Sequence, residues 1–507
     1  MTPEEICLCL DLGTTGIKAA AFDERLNCLG SATVENRLHY PAPGLVEQDP
    51  DYFFSAALDL SRQVAAGLGD TARRVVALVC SGQMGGALGI DADWNAVTHF
   101  DAILDPRSNV VRPLIAPHQD YLLPTCGGLT TQLEKILYWR AHRPEAYART
   151  AKFIGLNGFV AGRLAGLSAP DAFTDLTFSM VSGLLNAVTG AWDERLLETF
   201  DVPRALLPRV VEPRAVVGQL HPDLAAQLGL PRGVQVLAGA GDGAATFAGS
   251  GINRQGQAVD LSGTSCAFGL YSNAFLPDGQ PQTFLNMKSP TAPGWFVIYI
   301  NHFGRTHRWF VDAFCEELVR ERGVEAAYAA LDGQAAALPP GAAGLLAVPH
   351  LTGRPSPPGP FVRGAWLGFG LGFTRAHFYR SLLEAHAVEF RLAKERLRAL
   401  HPSLPPVREV TISGGGSHSD FWNQMKADVI EARYRRLADS GLSTLRGDAL
   451  IAAQARGWPV ADGPLDFFQY DREYAPDPGA AAEYAPVVEH YRSLPPALDP
   501  VMERLFS

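Results

Sequence analysis

A chain of 507 residues has room for two to four domains with sizeable cores, which excludes disulfide miniproteins and lone peptide modules. Hydrophobic residues make up 47% and charged residues 19%, the balance of a globular protein and not of a disordered one. Lys+Arg total 43 against Asp+Glu 53, and the formal net charge of -10 has the wrong sign for a nucleic-acid surface, although backbone N–H groups can still hold a compact phosphorylated ligand.

The start carries Glu4 and Glu5 but no basic segment, and its apolar run stops at Asp11, so it predicts a first strand at 6–12 and not a signal peptide. Cys7 and Cys9 share one face of that strand as small hydrophobes. The Cys 7 of the composition include no CxxC pair and no zinc spacing, pointing to a reducing compartment. The uncharged stretches 75–90 and 261–277 are too short or too polar to span a membrane. A cytoplasmic protein with no membrane and no nucleic-acid partner is the expectation.

Gly 50 and Pro 37 separate short apolar runs from longer amphipathic ones, the alternation of an α/β fold. Strands are predicted at 6–12, 75–80, 234–238, 257–261, 295–300 and 407–412. Helices are predicted at 51–67, 129–142, 376–400 and 421–431, where apolar residues recur at three and four. A glycine-rich polar stretch at 249–257 divides the chain into domains at 1–250 and 257–460. Residues 339–364 are expected to cross the surface as a loop, and 461–507 to pack on the core as a tail or terminal helix.

Asp11-Leu12-Gly13-Thr14-Thr15-Gly16 is followed by a second apolar run, and so is Asp260-Leu261-Ser262-Gly263-Thr264-Ser265. Both read as strand, small-polar turn, strand, which predicts two related domains offering turns to one polyanion. In the first turn the glycines permit a tight bend, N–H groups converge on phosphate, and Thr14, Thr15 and Lys18 add donors. An ordinary glycine-rich hairpin is the alternative for either copy alone. Asp11, at the end of an apolar strand, suits Mg²⁺ or a turn bonded to its own backbone. Asp242, after the strand at 234–238 and before a small-residue helix, suits a general base or a helix N-cap.

Three further segments follow. Ser81 to Gly86 and Asp105 with Arg107 offer an amide, a carboxylate and a guanidinium to sugar hydroxyls, or else a tight turn and a surface ion pair. Gly414, Gly415 and Gly416 follow a strand but lack the spacing of a dinucleotide fingerprint; a flat nucleoside could lie there, with the small residues of 447–455 packed behind it. His302 and His307 receive no role.

In order, LDLGTTGIKAAAFD, VEQDP, SGQMGG, FVAGRLAG, AGAGDGAATFAGSG, DLSGTS and SGGGSHSDFWNQMKADV resemble the FGGY carbohydrate kinases, xylulokinase-like branch. The resemblance implies two ribonuclease-H-like domains of the actin/hexokinase ATPase type around a central cleft, the sugar on the first and ATP on the second. It implies Asp242 as catalytic base, Asp11 positioning Mg²⁺, and Gly13, Thr14, Thr15, Gly263 and Thr264 along the phosphates; by their place in the two turns Lys18 and Ser265 are expected to join the phosphate contacts, and Asp242 to share the metal with Asp11. It places Gly414, Gly415 and Gly416 at the adenosine; the residues read above as able to meet the substrate are Gln83, Met84, Asp105 and Arg107, with Asp242 beside them. Met84-Gly85-Gly86 replaces the Met-His-Gly of xylulokinase-like members, Ile103 the usual Trp, Asn301-His302 a Gly pair, and Asp448 a small residue. The expected activity is ATP-dependent phosphorylation of a primary hydroxyl of a ketopentose, of xylulose or ribulose type. Glycerol or tetritol kinase is the alternative of the same fold, and a catalytically weak actin-like ATP-binding regulator that of another class. A homodimer is the expected assembly.

Overall fold

The computed structural model describes residues 4–42, 44–263, 265–279, 282–461 and 468–506. In the first half, β1 (Ile6–Leu12), β2 (Gly16–Asp23), β3 (Cys28–Glu35), β4 (Val75–Gly82), β5 (Val216–Gln219) and β6 (Gln235–Leu237) form a 6-stranded sheet ordered β5-β6-β4-β1-β2-β3. β1 is buried along its whole length, as a strand with neighbours on both edges and cover on both faces must be. It pairs antiparallel with β2 and parallel with β4.

The second half repeats the plan. Strands β7 (Gln257–Ser262), β8 (Cys266–Ser272), β9 (Leu285–Lys288), β10 (Trp295–Asn301), β11 (Glu409–Ser413), β12 (Arg433–Leu437) and β13 (Tyr470–Tyr474) form a 7-stranded sheet ordered β9-β10-β8-β7-β11-β12-β13. Antiparallel β7/β8/β10 and parallel β7/β11/β12 match antiparallel β1/β2/β3 and parallel β1/β4/β6. Each series ends in an antiparallel edge strand, β5 or β13. The duplication expected from two hairpins therefore extends to six strands of each half, a two-domain α/β fold of the actin/hexokinase ATPase type.

Helices form where capping and amphipathic spacing agree. Pro50–Leu68 begins with Asp49, whose carboxylate accepts the N–H of Asp51, and with Pro at the first turn. Ser419 likewise caps Asp420–Ile430 by accepting the N–H of Trp422. One apolar core lies between the first sheet and helices Pro50–Leu68 and Leu156–Ala165. A second packs Arg375–Leu400 and Asp420–Ile430 on the other sheet.

A third core joins the two halves. Cys7, Cys9, Val79 and Leu237 of one sheet meet Val259, Phe296, Leu445 and Ala449 of the other half. Between the sheets lie two crossed helices, Asp242–Ala248 and Ser443–Arg456. A Cβ on Gly249 would fall 1.8 Å from the carbonyl oxygen of Ser443, and one on Gly447 2.0 Å from that of Ala245, so the backbones touch. At Gly447 the small residues of 447–455 serve this crossing.

One other expectation needs correction, and one gains an element. Within 339–364 the strand Leu346–Val348 pairs with Ala365–Leu367, and His350, Ser356 and Val362 are buried, so the segment enters the core instead of crossing the surface. Within the tail, β13 extends the sheet before the Pro478–Phe506 helix, whose Tyr484, Val487, Val488 and Tyr491 join the second core. Three consecutive charged residues, Asp471, Arg472 and Glu473, hid that edge strand in the sequence.

Candidate active site

The first turn is built by neighbours distant in sequence. β1 and β2 end opposite one another at Leu12 and Ile17. Asn36, just past β3, donates its amide to the carbonyls of Gly13 (3.3 Å) and Thr14 (2.9 Å), and its backbone N–H to Thr15. Gln83, just past β4, donates Nε2 to the Gly13 carbonyl at 3.2 Å and to Gln48 at 2.9 Å. With its carbonyls so tied, the turn can present N–H groups outward. Asn36 was missed in the sequence because only the β2/β3 pairing returns it to the turn.

Asp11 is buried, has no ion-pair partner among the described residues, and takes a hydrogen bond from Thr444. Burial raises its pKa to about 6 against the opposing pull of Lys18. Lys18, across the strand pair from Asp11, reaches over to the other half and donates to the carbonyl of Gly441 at 3.3 Å.

Asp242 opens the helix Asp242–Ala248, but Gly241 is the N-cap, which rules out the capping alternative. Its half-buried carboxylate accepts N–H groups from Gly243 and Met84. Desolvation, then the Asp11 charge, push its pKa up to about 7. Thr177 fixes the preceding residue by accepting the N–H of Gly241 at 2.9 Å, and Thr177 in turn donates to buried Asp175 at 2.5 Å. A bridge between Gly82 and Gly241 brings the Gln83-Met84 segment beside Asp242. The Oε1 of Gln83 is buried without a partner, an acceptor available to a hydroxyl.

Asp105 and Arg107 form a buried clamp, not the surface pair considered above. Asp105 accepts Nε and Nη2 of Arg107 at 2.8 and 2.6 Å, and the N–H of Val46 at 3.0 Å. Arg107 also meets Glu47 at 2.8 Å. Nearby, Gly85 has φ +77, and a Cβ there would lie 2.8 Å from the Ile103 side chain, so the two departures from the family pattern face each other.

The second half supplies a cavity of about 520 Å³ lined by Gly263, Gly415, Gly416, His307, Tyr328 and Asp332. Gly414 has φ +94 and passes so close to Ser262 that a Cβ would fall 2.8 Å from its carbonyl oxygen. An added Cβ on Gly415 meets nothing within 4 Å. Asp332 accepts from Tyr379 at 2.9 Å and Ser419 at 2.6 Å, and Tyr379 lies 2.8 Å from His307. Burial lowers the His307 pKa to about 3, leaving a neutral ring. His307 and Asp332 were not read as site residues, since nothing local to their helices signals a pocket. Ser265 is exposed with Oγ 3.5 Å from His302, and Thr264 lies outside the described residues.

The two turns converge on one helix start. Thr444 bonds Asp11, and its neighbour Ser443 lies 3.4 Å from Ser413, next to Gly414 and the second turn. Thr444 also meets Thr246 at 2.8 Å. Phosphates, Asp11 and Asp242 could therefore share one crevice. Asp448, one turn further along this helix, takes the Ser81 hydroxyl at 2.8 Å, and its pKa is raised well above the ordinary carboxylate range by burial and then by the Asp11 and Asp242 charges. It is fully buried where this helix packs on β1 and β4.

The FGGY family of carbohydrate kinases, N-terminal domain, matches residues 6–249, and its C-terminal domain matches 261–456. The chain is similar to the xylulose kinase of Bacillus subtilis, 26% identical over 471 residues that cover 89% of this chain and 88% of the relative. It is 25% identical to the gluconokinase of Bacillus licheniformis over 501 residues, covering 97% and 95%. The crystal structure of xylulose kinase from Rhodospirillum rubrum superposes with a TM-score of 0.87 at 24% identity, covering 99% of this chain and 100% of that one.

Proposed function

We propose a ketopentose as the acceptor for this chain, which belongs to the FGGY family of carbohydrate kinases and so transfers phosphate from ATP to a sugar. The observation that carries the reading is Asp242: a half-buried carboxylate aimed by two N–H groups, with no basic side chain paired to it among the described residues, beside the Gln83-Met84 segment. Asp242 acts as general base. It takes the proton of a primary hydroxyl as that oxygen bonds to the γ-phosphorus and the bond to ADP breaks.

Gly13, Thr14, Thr15 and Lys18 from one half, and Gly263, Thr264 and Ser265 from the other, hold the phosphates. Gly414, Gly415 and Gly416 border the adenosine, which the cavity beside them supports. Gln83 and Met84 meet the sugar; the clamped Asp105 and Arg107 shape its pocket more than they offer free donors. Asp11 and Asp242 suit Mg²⁺, since two neighbouring carboxylates, neither of them ion-paired among the described residues, are relieved by a hard divalent cation that also takes phosphate oxygens. When bound, Mg²⁺ neutralises charge on the phosphates. Closure of the halves excludes water from the γ-phosphate.

An aldonate is the second reading, favoured by Lys135. This buried cation near the Asp105–Arg107 clamp has no ion-pair partner among the described residues, and its one hydrogen bond is 3.5 Å long, to the carbonyl of Asp105.

ADP release across pentuloses, hexuloses, polyols and aldonates ranks these acceptors; turnover stimulated by none of them overturns the reading. Asp242→Asn should lower kcat by about 10²–10⁴-fold with ATP binding retained. Near-normal turnover in that variant would reject Asp242 as the base.

A further inference from the structure

We infer that His39, Glu47 and His99 form a binding site for a divalent transition-metal ion of the zinc class, distinct from the Asp11 and Asp242 pair. One ligand atom from each residue lies within 4.8 Å of the other two. Backbone ladders fix this grouping. His39 and Glu47 exchange N–H···O bonds of 2.8 and 2.9 Å, and the strand Glu47–Gln48 pairs with Phe100–Asp101, directly after His99.

The carboxylate is already aimed. Glu47 Oε1 faces Arg107 at 2.8 Å and Arg143 at 3.1 Å, while Oε2 lies 3.0 Å from His99 Nδ1. The His39 and His99 rings meet edge-on with centroids 5.4 Å apart. Hydrogen bonds from outside a metal site that orient a ligating carboxylate are a regular feature of such centres. The two guanidiniums do not repel a cation outright, because Arg143 also pairs with Asp101 and Arg107 with Asp105. Three carboxylates thus answer two guanidiniums, and Glu47 faces the imidazoles.

Two imidazole nitrogens and one carboxylate oxygen suit zinc with a water in the fourth position. They are a poor set for Mg²⁺, which prefers oxygen throughout. His39 is exposed, so an ion can enter from solvent. A bound ion would draw on Glu47 and hence on Arg107, which couples the site to the sugar side of the cleft.

The test is calorimetric titration of the full-length, chelator-stripped chain with ZnCl₂ in excess MgCl₂. The unmodified chain should bind one Zn²⁺ that Mg²⁺ does not displace. His39→Gln and His99→Gln should each weaken binding by about tenfold or more, and the double variant should lose it. Cys28→Ser, which removes the exposed thiol, should leave the affinity unchanged. CoCl₂ should give visible absorption in the unmodified chain and not in the double variant, whose thermal unfolding should match the unmodified chain. No Zn²⁺ uptake, or equal uptake by the double histidine variant, overturns the proposal.

Discussion

Asp11 and Asp260 hold the same place in the two leading strands, and the fold treats them oppositely. Asp260 is fully buried with Lys426, whose Nζ lies 2.9 Å from it, 2.7 Å from Ser262 Oγ and 3.8 Å from the Trp422 ring centre. Asp11 has no such partner among the described residues. Removing one member of a buried pair strands the other charge, so Lys426→Met should cost roughly 3–5 kcal/mol in denaturant unfolding. Asp11→Asn should cost little or stabilise, because it removes a desolvated charge that repels Asp242; equal losses for the two variants would contradict the contrast. Asp448 poses the complementary case. Its folded pKa lies above the unfolded value of 3.8, so the stability it contributes is fully present at acid pH and falls as pH rises above that value. Asp448→Asn should therefore melt with the unmodified chain at about pH 4 and progressively higher as pH is raised to about 8. A constant difference across the range would show that Asp448 is ionised in the fold.

At the scale of elements, Asp242–Ala248 and Ser443–Arg456 cross with their backbones in contact, and this crossing sets where Asp242 and Thr444 stand. Gly447→Val would drive a side chain into the backbone of Ala245, and such overpacking costs about 1–3 kcal/mol while displacing Asp242. Melting temperature and kcat should both fall. Gly441→Ala, with nothing within 4 Å of the added carbon, is the control and should leave both nearly unchanged. Elements were legible in the sequence where caps and apolar period agreed. The helices expected at 51–67 and 421–431 appear as Pro50–Leu68 and Asp420–Ile430, within a residue at each end. Strand β13 was not legible, because an edge strand needs no apolar run to be held by its neighbour.

At the scale of the molecule, the two sheets share the third core, and the Ser443–Arg456 helix of the second half covers strands of the first. Residues 1–250 expressed alone would expose Cys9, Val79 and Leu237 to water. They should aggregate or bind a hydrophobic dye, and co-expression with 251–507 should restore a soluble particle on size exclusion. A soluble first half with cooperative unfolding would show that the halves are energetically independent. Among the described residues, no helix is long and apolar enough to cross a membrane.

The linear order of residues determined the duplicated plan, since a strand, a glycine-bearing polar turn and a second strand are local signals that survive without knowledge of neighbours. It also determined which carboxylates merit attention. Only the tertiary structure decided what each does: Lys426 arrives 166 positions after Asp260 to neutralise it, while among the described residues no cation forms an ion pair with Asp11. It likewise turned Asp105 and Arg107 into a clamp, brought Asn36 back to the first turn, and gathered His39, Glu47 and His99. Electrostatic environment and hydrogen-bond partners depend on distances in space, and the spacing of residues along a chain does not encode them until strands pair and helices cross.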